Sequence, residues 1–274
     1  MPKRDPYDYG FGEVWNDSHV QHREGYATSV TDYHRHEFYE INLILSGNVK
    51  ILLPDRSEEG KGCRVVLTRP GTPHYISCQP DTLYSRLYLV FTPAYVADFL
   101  PEWTQLSTLF GEGGNILTVS PQDSQRLRAE IERIQGESHP FRRRLLIYHL
   151  LSLLSEHSES ADSAAQRIPS YIMEALAYME RHYAERLTAL SLAKALHIGR
   201  TTLMTEFKRH TGSTVNEYLT GVRLRHAIRL LRDGNTLECT ALQCGFSDSS
   251  SLVRVFRRQY GTTPRSYIRK ILPI

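Results

Sequence analysis

The sequence predicts an α+β protein of two domains. The first is a small β-barrel or sandwich carrying two helices, and the second is all-α with tandem helix-turn-helix units. Three observations predict this. Residues 38–91 form a series of short segments rich in β-branched and aromatic residues, divided by turn residues. One helical pattern occurs twice between residues 190 and 258. Charge divides the chain in the same way: residues 168–274 hold 16 Lys and Arg against 8 Asp and Glu, while residues 1–167 hold 17 against 22. The modest overall charge of +3 therefore hides a basic C-terminal part.

The β segments are 38–46, 48–53, 64–68, 74–79 and 83–91. Ser46-Gly47-Asn48, Pro54-Asp55, Glu59-Gly60-Lys61-Gly62, Pro70-Gly71 and Gln79-Pro80-Asp81 separate them. Ahead of them, Tyr7-Asp8-Tyr9-Gly10-Phe11-Gly12-Glu13-Val14-Trp15 is either an arm over the domain or an ordinary first strand. Residues 121–136 and 140–157 read as helices. The second carries Leu145, Leu146, Tyr148, His149, Leu150, Leu153 and Leu154, an apolar surface wide enough to pack on the β domain and also to pair with a second copy. The small polar stretch 158–167 reads as a linker.

In the helical domain, Leu190–Ala195 and Leu237–Ala241 are short apolar helices, each followed by a break, at Gly199 and Gly245. A second helix follows each break. Leu203 and Phe207 make an apolar stripe on one, and Leu252 and Phe256 make the equivalent stripe on the other. Gly212 and Gly261 suit left-handed C-terminal caps. Val215–Arg232 reads as one long connector, and Thr262-Thr263-Pro264 opens a last short helix. Helices of this kind are suited to lie in a major groove with their N-terminal residues at base edges. Thr201, Met204 and Thr205 in one, and Ser249, Ser250, Val253 and Arg254 in the other, lie on the outward N-terminal face. Arg254 is the expected reader of guanine through a bidentate contact. Arg200, Lys208, Arg257 and Arg258 are expected to meet phosphates. The connector should hold the two units about one DNA turn apart.

The stretch from Gly245-Phe246 through Ser251-Leu252-Val253-Arg254-Val255-Phe256-Arg257-Arg258-Gln259-Tyr260-Gly261-Thr262-Thr263-Pro264 to Tyr267 resembles the signature of the AraC/XylS family of bacterial transcription regulators. Phe207-Lys208, Gly212, Tyr218-Leu219, Arg223-Leu224, Ala227 and Leu230-Leu231 match that family as well. Two departures stand out. Gly199 replaces the usual serine N-cap, and Thr240 occupies a position that is normally a buried aliphatic. The resemblance implies double-stranded DNA, a small-molecule effector and RNA polymerase as partners, a homodimer held by the helices of 121–157, and activation more often than repression. The domains then read as 1–120 for effector sensing, 121–157 for dimerisation, 158–167 as linker and 168–274 for DNA binding.

His34-Arg35-His36, Glu40, Gly47 and Pro70-Gly71-Thr72-Pro73-His74 resemble the two cupin motifs, which implies a jelly-roll barrel with a central pocket. Thr28 stands where those motifs usually have a glycine. His34, His36, Glu40 and His74 fall on the positions that bind metal in cupin enzymes. Nitrogen and carboxylate donors suit a transition metal. In AraC-type regulators, however, similar residues serve as a polar cluster or contact an organic ligand. The reading taken is an effector site of His34, His36, Glu40, His74, Tyr39 and Tyr75 without a cofactor, for a small polar molecule such as a sugar. The alternative is a metal-binding cupin, sensor or enzyme, joined to a DNA-binding domain. Of the nearby rings, which include Tyr33, Phe38, Tyr84 and Tyr88, about half are expected to be core.

No apolar run approaches the length of about 20 residues that a membrane span needs. The start, Met1-Pro2-Lys3-Arg4-Asp5, does not read as a signal peptide. The four cysteines, at 63, 78, 239 and 244, have no CxxC spacing and read as buried, reduced thiols of a cytoplasmic protein.

Overall fold

The computed structural model describes residues 18–26, 35–78, 82–97, 105–157 and 166–271. The expected arm at 7–15, Tyr33, His34 and most of the expected linker lie outside the described residues. The chain divides into two compact units between Arg167 and Ile168.

The first unit is built on two antiparallel sheets. One has the order β1 (Ser18–Tyr26), β7 (Leu83–Phe91), β2 (Tyr39–Ser46), β5 (Arg64–Thr68) and β8 (Asn115–Thr118). The other has the order β6 (Tyr75–Cys78), β3 (Asn48–Leu52), β4 (Arg56–Lys61) and β9 (Gln166–Arg167). The described strands thus form two sheets with separate edges, in place of a closed barrel. The last two residues of the expected linker are strand β9, paired with Arg56 and Ser57.

Register explains why the central strands read as continuous apolar runs. Ile41, Leu43, Val65, Leu67, Leu87, Leu89 and Phe91 face a core shared with α2 (Pro121–Gly136) and α3 (Pro140–Ser155). The alternate residues Ile44 and Val66 face the other way and pack with Val49, Ile51 and Ile76 of the second sheet. The five-stranded sheet is therefore covered on both faces, so both side-chain sets are buried. A short α1 (Pro93–Ala97) follows β7, and its Tyr95 and Val96 join the helix-side core. Ser120 caps α2 by accepting from the Asp123 amide, with Pro121 in the first turn. On α3, Ile147, Leu150, Leu151 and Leu154 are buried, while Phe141 and Leu145 are exposed.

The second unit is helical: α4 (Ser170–His182), α5 (Ala189–Ala195), α6 (Arg200–Thr211), α7 (Val215–Arg232), α8 (Leu237–Gln243), α9 (Ser249–Tyr260) and α10 (Pro264–Ile271). Side chains set four of the helix starts. Thr188 and Thr214 form capping boxes with Ser191 and Glu217, and Thr236 and Asp248 cap α8 and α9. Gly212 (φ 77°) and Gly261 (φ 68°) end α6 and α9 in the left-handed region.

One turn differs from the sequence reading. The break falls at His197, which is left-handed at φ 55°, while Gly199, at φ −66°, is the N-cap of α6, the position the sequence reading also gave it. Histidine is among the residues that tolerate this region. The equivalent turn in the second unit needs glycine for space as well. A Cβ on Gly245 would lie 2.8 Å from the carbonyl oxygens of both Tyr183 and Ala184.

Candidate nucleic-acid interface and ligand site

The two candidate reading helices present equivalent surfaces at one constant offset. Leu203 and Phe207 in α6, and Leu252 and Phe256 in α9, are all fully buried. Burial of these stripes fixes which face each helix shows to solvent. Arg200, Thr201, Met204, Thr205 and Lys208 are exposed on α6. Ser250, Arg254, Arg257 and Arg258 are exposed on α9, while Ser249 and Val253 are half-buried. Thr201, Thr205 and Lys208 correspond to Ser250, Arg254 and Arg257, each set at i, i+4 and i+7 and so in one row along its helix. Leu237, Ser249, Ser250, Val253, Arg254 and Arg257 line an open groove along the second helix.

A junction that the sequence reading overlooked ties the connector and the second helix-turn-helix to the residues that follow α4. Arg223 of the connector donates from Nε to the Tyr183 carbonyl and from Nη2 to the Glu185 carbonyl, both at 2.8 Å. His226 stacks on Tyr183 with ring centroids 3.8 Å apart. Burial, with Arg225 and Arg229 nearby, pushes the His226 imidazole down to about 4. The close backbone approach at Gly245 completes this contact. Arg223 had been visible only as part of the family match.

In the first unit, Glu40, His36 and His74 come together. Glu40 Oε2 lies 2.6 Å from His36 Nε2 and 3.0 Å from His74 Nε2, and all three side chains are almost fully buried. His74 Nδ1 faces the Thr72 carbonyl at 2.9 Å, and His36 Nδ1 faces the Phe38 carbonyl at 3.1 Å. Burial alone would raise the Glu40 carboxyl. The two histidine hydrogen bonds, with their charge, outweigh it and hold the group well below the usual carboxylate range.

The two tyrosines grouped with this cluster on the sequence are placed elsewhere. Tyr39 points to the opposite face of β2 from Glu40, where it stacks on Phe91 at 5.4 Å and meets Phe110 edge-on at 4.8 Å in the helix-side core. Tyr75 follows His74 directly and is turned to the other face of its strand. His34 lies outside the described residues.

Alternation from Glu40 identifies the residues that do share its face. Glu40 pairs with Thr68 and Val90, Asn42 with Val66 and Tyr88, and Ile44 with Arg64 and Arg86. Arg86 Nη1 donates to Asn42 Oδ1 at 3.1 Å, with its guanidinium 5.3 Å from the Tyr88 ring. The phenol of Tyr88 donates to Gln21 of β1. Asn42, Thr68 and Arg86 were missed on the sequence, and Tyr88 was named there only among the nearby rings, although counting by two along β2 and across the register finds all four.

The cluster also has the chemistry of a metal site. His36, Glu40 and His74 each offer a donor atom, and these atoms lie within 4.8 Å of one another. Backbone carbonyls that hold the outer nitrogens are the usual means of orienting metal-bound imidazoles.

The cysteine expectation needs one correction. All four cysteines are free, but Cys244 alone is buried, and Cys239 is exposed. No described helix is long and apolar enough to cross a membrane.

A family model described as an AraC-like ligand binding domain matches residues 18–154. A second, described as a helix-turn-helix domain, matches residues 192–270. The HTH-type transcriptional activator RhaS of Escherichia coli (strain K12 / DH10B) is 27% identical over 243 residues, covering 85% of this chain and 85% of its own. Fatty-acid-bound ToxT from Vibrio cholerae strain SCE256 aligns over 96% of this chain and 98% of its own, at 15% identity and a TM-score of 0.41. The DNA-binding domain of AdpA, solved with a target DNA, covers 35% of this chain and 88% of its own, at 31% identity and a TM-score of 0.34.

Proposed function

The chain belongs to the AraC family of transcription regulators, and from that premise we propose a division of labour between its two units. The sandwich takes a small polar effector at the polar end of its inner faces, beside His36, Glu40 and His74. The helical unit reads DNA with α6 and α9. Arg254 reads a base, Thr201, Met204, Thr205, Ser249, Ser250 and Val253 complete the reading faces, and Arg200, Lys208, Arg257 and Arg258 anchor phosphates. Effector binding changes how the dimerised sensor restrains the DNA-binding unit, and RNA polymerase is recruited in response. RhaS is a transcriptional activator, which supports activation as the outcome. The exposed Phe141 and Leu145 of α3 support a homodimer through that helix. The protein works as a cytoplasmic regulator rather than as an enzyme.

One observation carries the DNA-binding part. Two helices bury equivalent apolar pairs and expose equivalent rows, at Thr201, Thr205 and Lys208 and at Ser250, Arg254 and Arg257. Duplicated burial leaves duplicated faces for a repeating partner. The test compares Arg254→Ala with Lys208→Ala on operator and random DNA. Arg254→Ala should cost about 1–3 kcal/mol on the operator and relax preference at one base pair. Lys208→Ala should weaken all DNA alike and reduce the salt slope by about one. Equal losses on both DNAs for Arg254→Ala remove it from the base-reading set.

The convergence of His36, Glu40 and His74 favours a second reading, a transition-metal sensor or metal-dependent enzyme. Metal analysis of the purified protein, repeated on His36→Ala, separates the two. Stoichiometric metal lost in the variant supports a metal sensor, and metal with turnover supports an enzyme. Metal-free protein that responds to an organic molecule supports the first reading.

A further inference from the structure

The two candidate reading helices are duplicates in burial but not in chemistry. Thr201, Met204, Thr205 and Lys208 of α6 occupy the places of Ser250, Val253, Arg254 and Arg257 of α9. An arginine on α9 is thus a threonine on α6, and a half-buried valine is an exposed methionine. Met204 is 45% exposed, and among the described residues of the two helices it is the large apolar side chain given to solvent. Glu206 and Arg209 pair with each other beside this patch, and Lys208 lies in the last turn of the helix. The N-terminal half of α6 therefore shows Thr201, Met204 and Thr205, each of which carries a methyl group. On α9, Arg254 and Arg257 stand in the open groove that Ser249, Ser250 and Val253 help to line. The carboxylate near Arg254 is that of the cap Asp248, which accepts from the Ser251 amide and the Ser247 hydroxyl.

Of the base edges in a major groove, thymine alone offers an apolar group, its C5-methyl. Methionine and threonine methyl groups set against it take apolar surface out of water, and the flexible thioether adapts to the contour it meets. The threonine hydroxyls can donate to thymine O4 or adenine N7, or accept from adenine N6. An A·T pair thus suits both ends of a threonine, whereas a G·C pair sets the methyl groups against polar atoms. Spacing limits the length of the contact. Thr201 and Thr205 are about 6 Å apart along the helix, which matches about two base steps of a strand.

We propose that α6 is a thymine reader and α9 a guanine reader, so that each binding site is chemically mixed. Thr201, Met204 and Thr205 meet the thymine methyl groups of a run of about three A·T pairs. About one turn of DNA away, Arg254 meets the N7 and O6 of a guanine. This proposal rests on the reading of α6 and α9 as groove-reading helices.

The test begins with a site selected from random duplex DNA by the full-length protein. Each thymidine is replaced in turn by deoxyuridine, which removes the C5-methyl and keeps the pairing. Each guanine is replaced in turn by 7-deazaguanine, which removes N7. Uracil should weaken binding about fourfold per contacted thymine, the effect of one buried methyl group, and only within one block. 7-Deazaguanine should weaken binding in the other block. Thr205→Ser removes a methyl group and keeps the hydroxyl. It should make one sensitive thymine indifferent to uracil and leave the 7-deazaguanine losses in place. Met204→Ala should do the same at a neighbouring thymine. Arg254→Ala should abolish the 7-deazaguanine loss and leave the uracil losses. A selected site without a run of A·T pairs overturns the thymine assignment, as do uracil substitutions without effect or uracil losses undiminished in both α6 variants. The reading of DNA by the two helices then still stands on the Arg254→Ala result. Random duplex held as tightly as the selected site overturns that reading as well.

Discussion

Replacing Thr240 by valine should stabilise the DNA-binding unit. Thr240 lies on α8 and is 0% exposed, and its hydroxyl has no hydrogen-bond partner among the described residues. Its neighbours Ala241 and Cys244 belong to the core that holds Leu252 and Phe256 under the second reading helix. An unsatisfied buried hydroxyl costs about 1–3 kcal/mol. Valine removes that cost and adds a methyl group of similar size to an apolar site. Thr and Val have similar helix propensity, so the backbone contributes little difference. A net gain of about 1–2 kcal/mol corresponds to roughly 4–8 °C in Tm per kcal/mol for a domain of this size. Calorimetry of the full-length chain, following the transition of the helical unit, measures the gain. Operator affinity should not change, because Thr240 is buried away from both reading faces. An unchanged or lower Tm would refute the reasoning and show that the hydroxyl finds a partner, such as a carbonyl one turn back in α8.

The junction behind the second reading helix yields two more expectations. Gly245→Ala places a methyl group 2.8 Å from two carbonyl oxygens at a left-handed residue, so it should cost at least about 1–3 kcal/mol of stability. It should also weaken operator binding more than the fold, which gel shifts well below the variant's Tm will detect. The folded pKa of His226, about 4, lies below the ordinary value of 6.5. The unfolded chain therefore binds more protons between those values, and the helical unit should lose stability as pH falls from about 6.5 to about 4. His226→Phe keeps the ring against Tyr183 and should flatten that limb of a pH–Tm profile. A limb unchanged in the variant assigns the dependence to another group.

Strong periodicity and capping chemistry made most elements readable. Strands 64–68 and 83–91, helix 121–136 and the connector Val215–Arg232 lie where their apolar patterns place them. Some apolar elements were missed, the short β8 and α1 and the helix α4, while two other missed elements are polar for a structural reason. β1, with the sequence SHVQHREGY, is an edge strand, and of its residues Val20 joins the main core. β4, RSEEGK, pairs on one side with the two-residue β9 and reads as a turn. The candidate ligand site was half legible. His36, Glu40 and His74 stood out by motif, but Tyr39 and Tyr75 were grouped with them as aromatic rings beside the predicted strands, although each directly neighbours a cluster residue in sequence. In a strand adjacency places a residue on the opposite face. The same rule, applied from Glu40, leads to Asn42 and across the register to Thr68 and Tyr88. At the first helix-turn-helix, glycine drew attention to position 199, while the left-handed turn is made by His197, a residue whose composition signal is weak.

Base-by-base interference on a selected operator, run with wild type, Thr205→Ala and Arg254→Ala, tests most directly whether α6 and α9 both read one duplex. Two blocks of sensitive bases should lie about one helical turn, roughly 10 bp, apart on the same face of the DNA. Thr205→Ala should erase contacts in one block and Arg254→Ala in the other. A single block, or two variants that affect the same bases, contradicts the account.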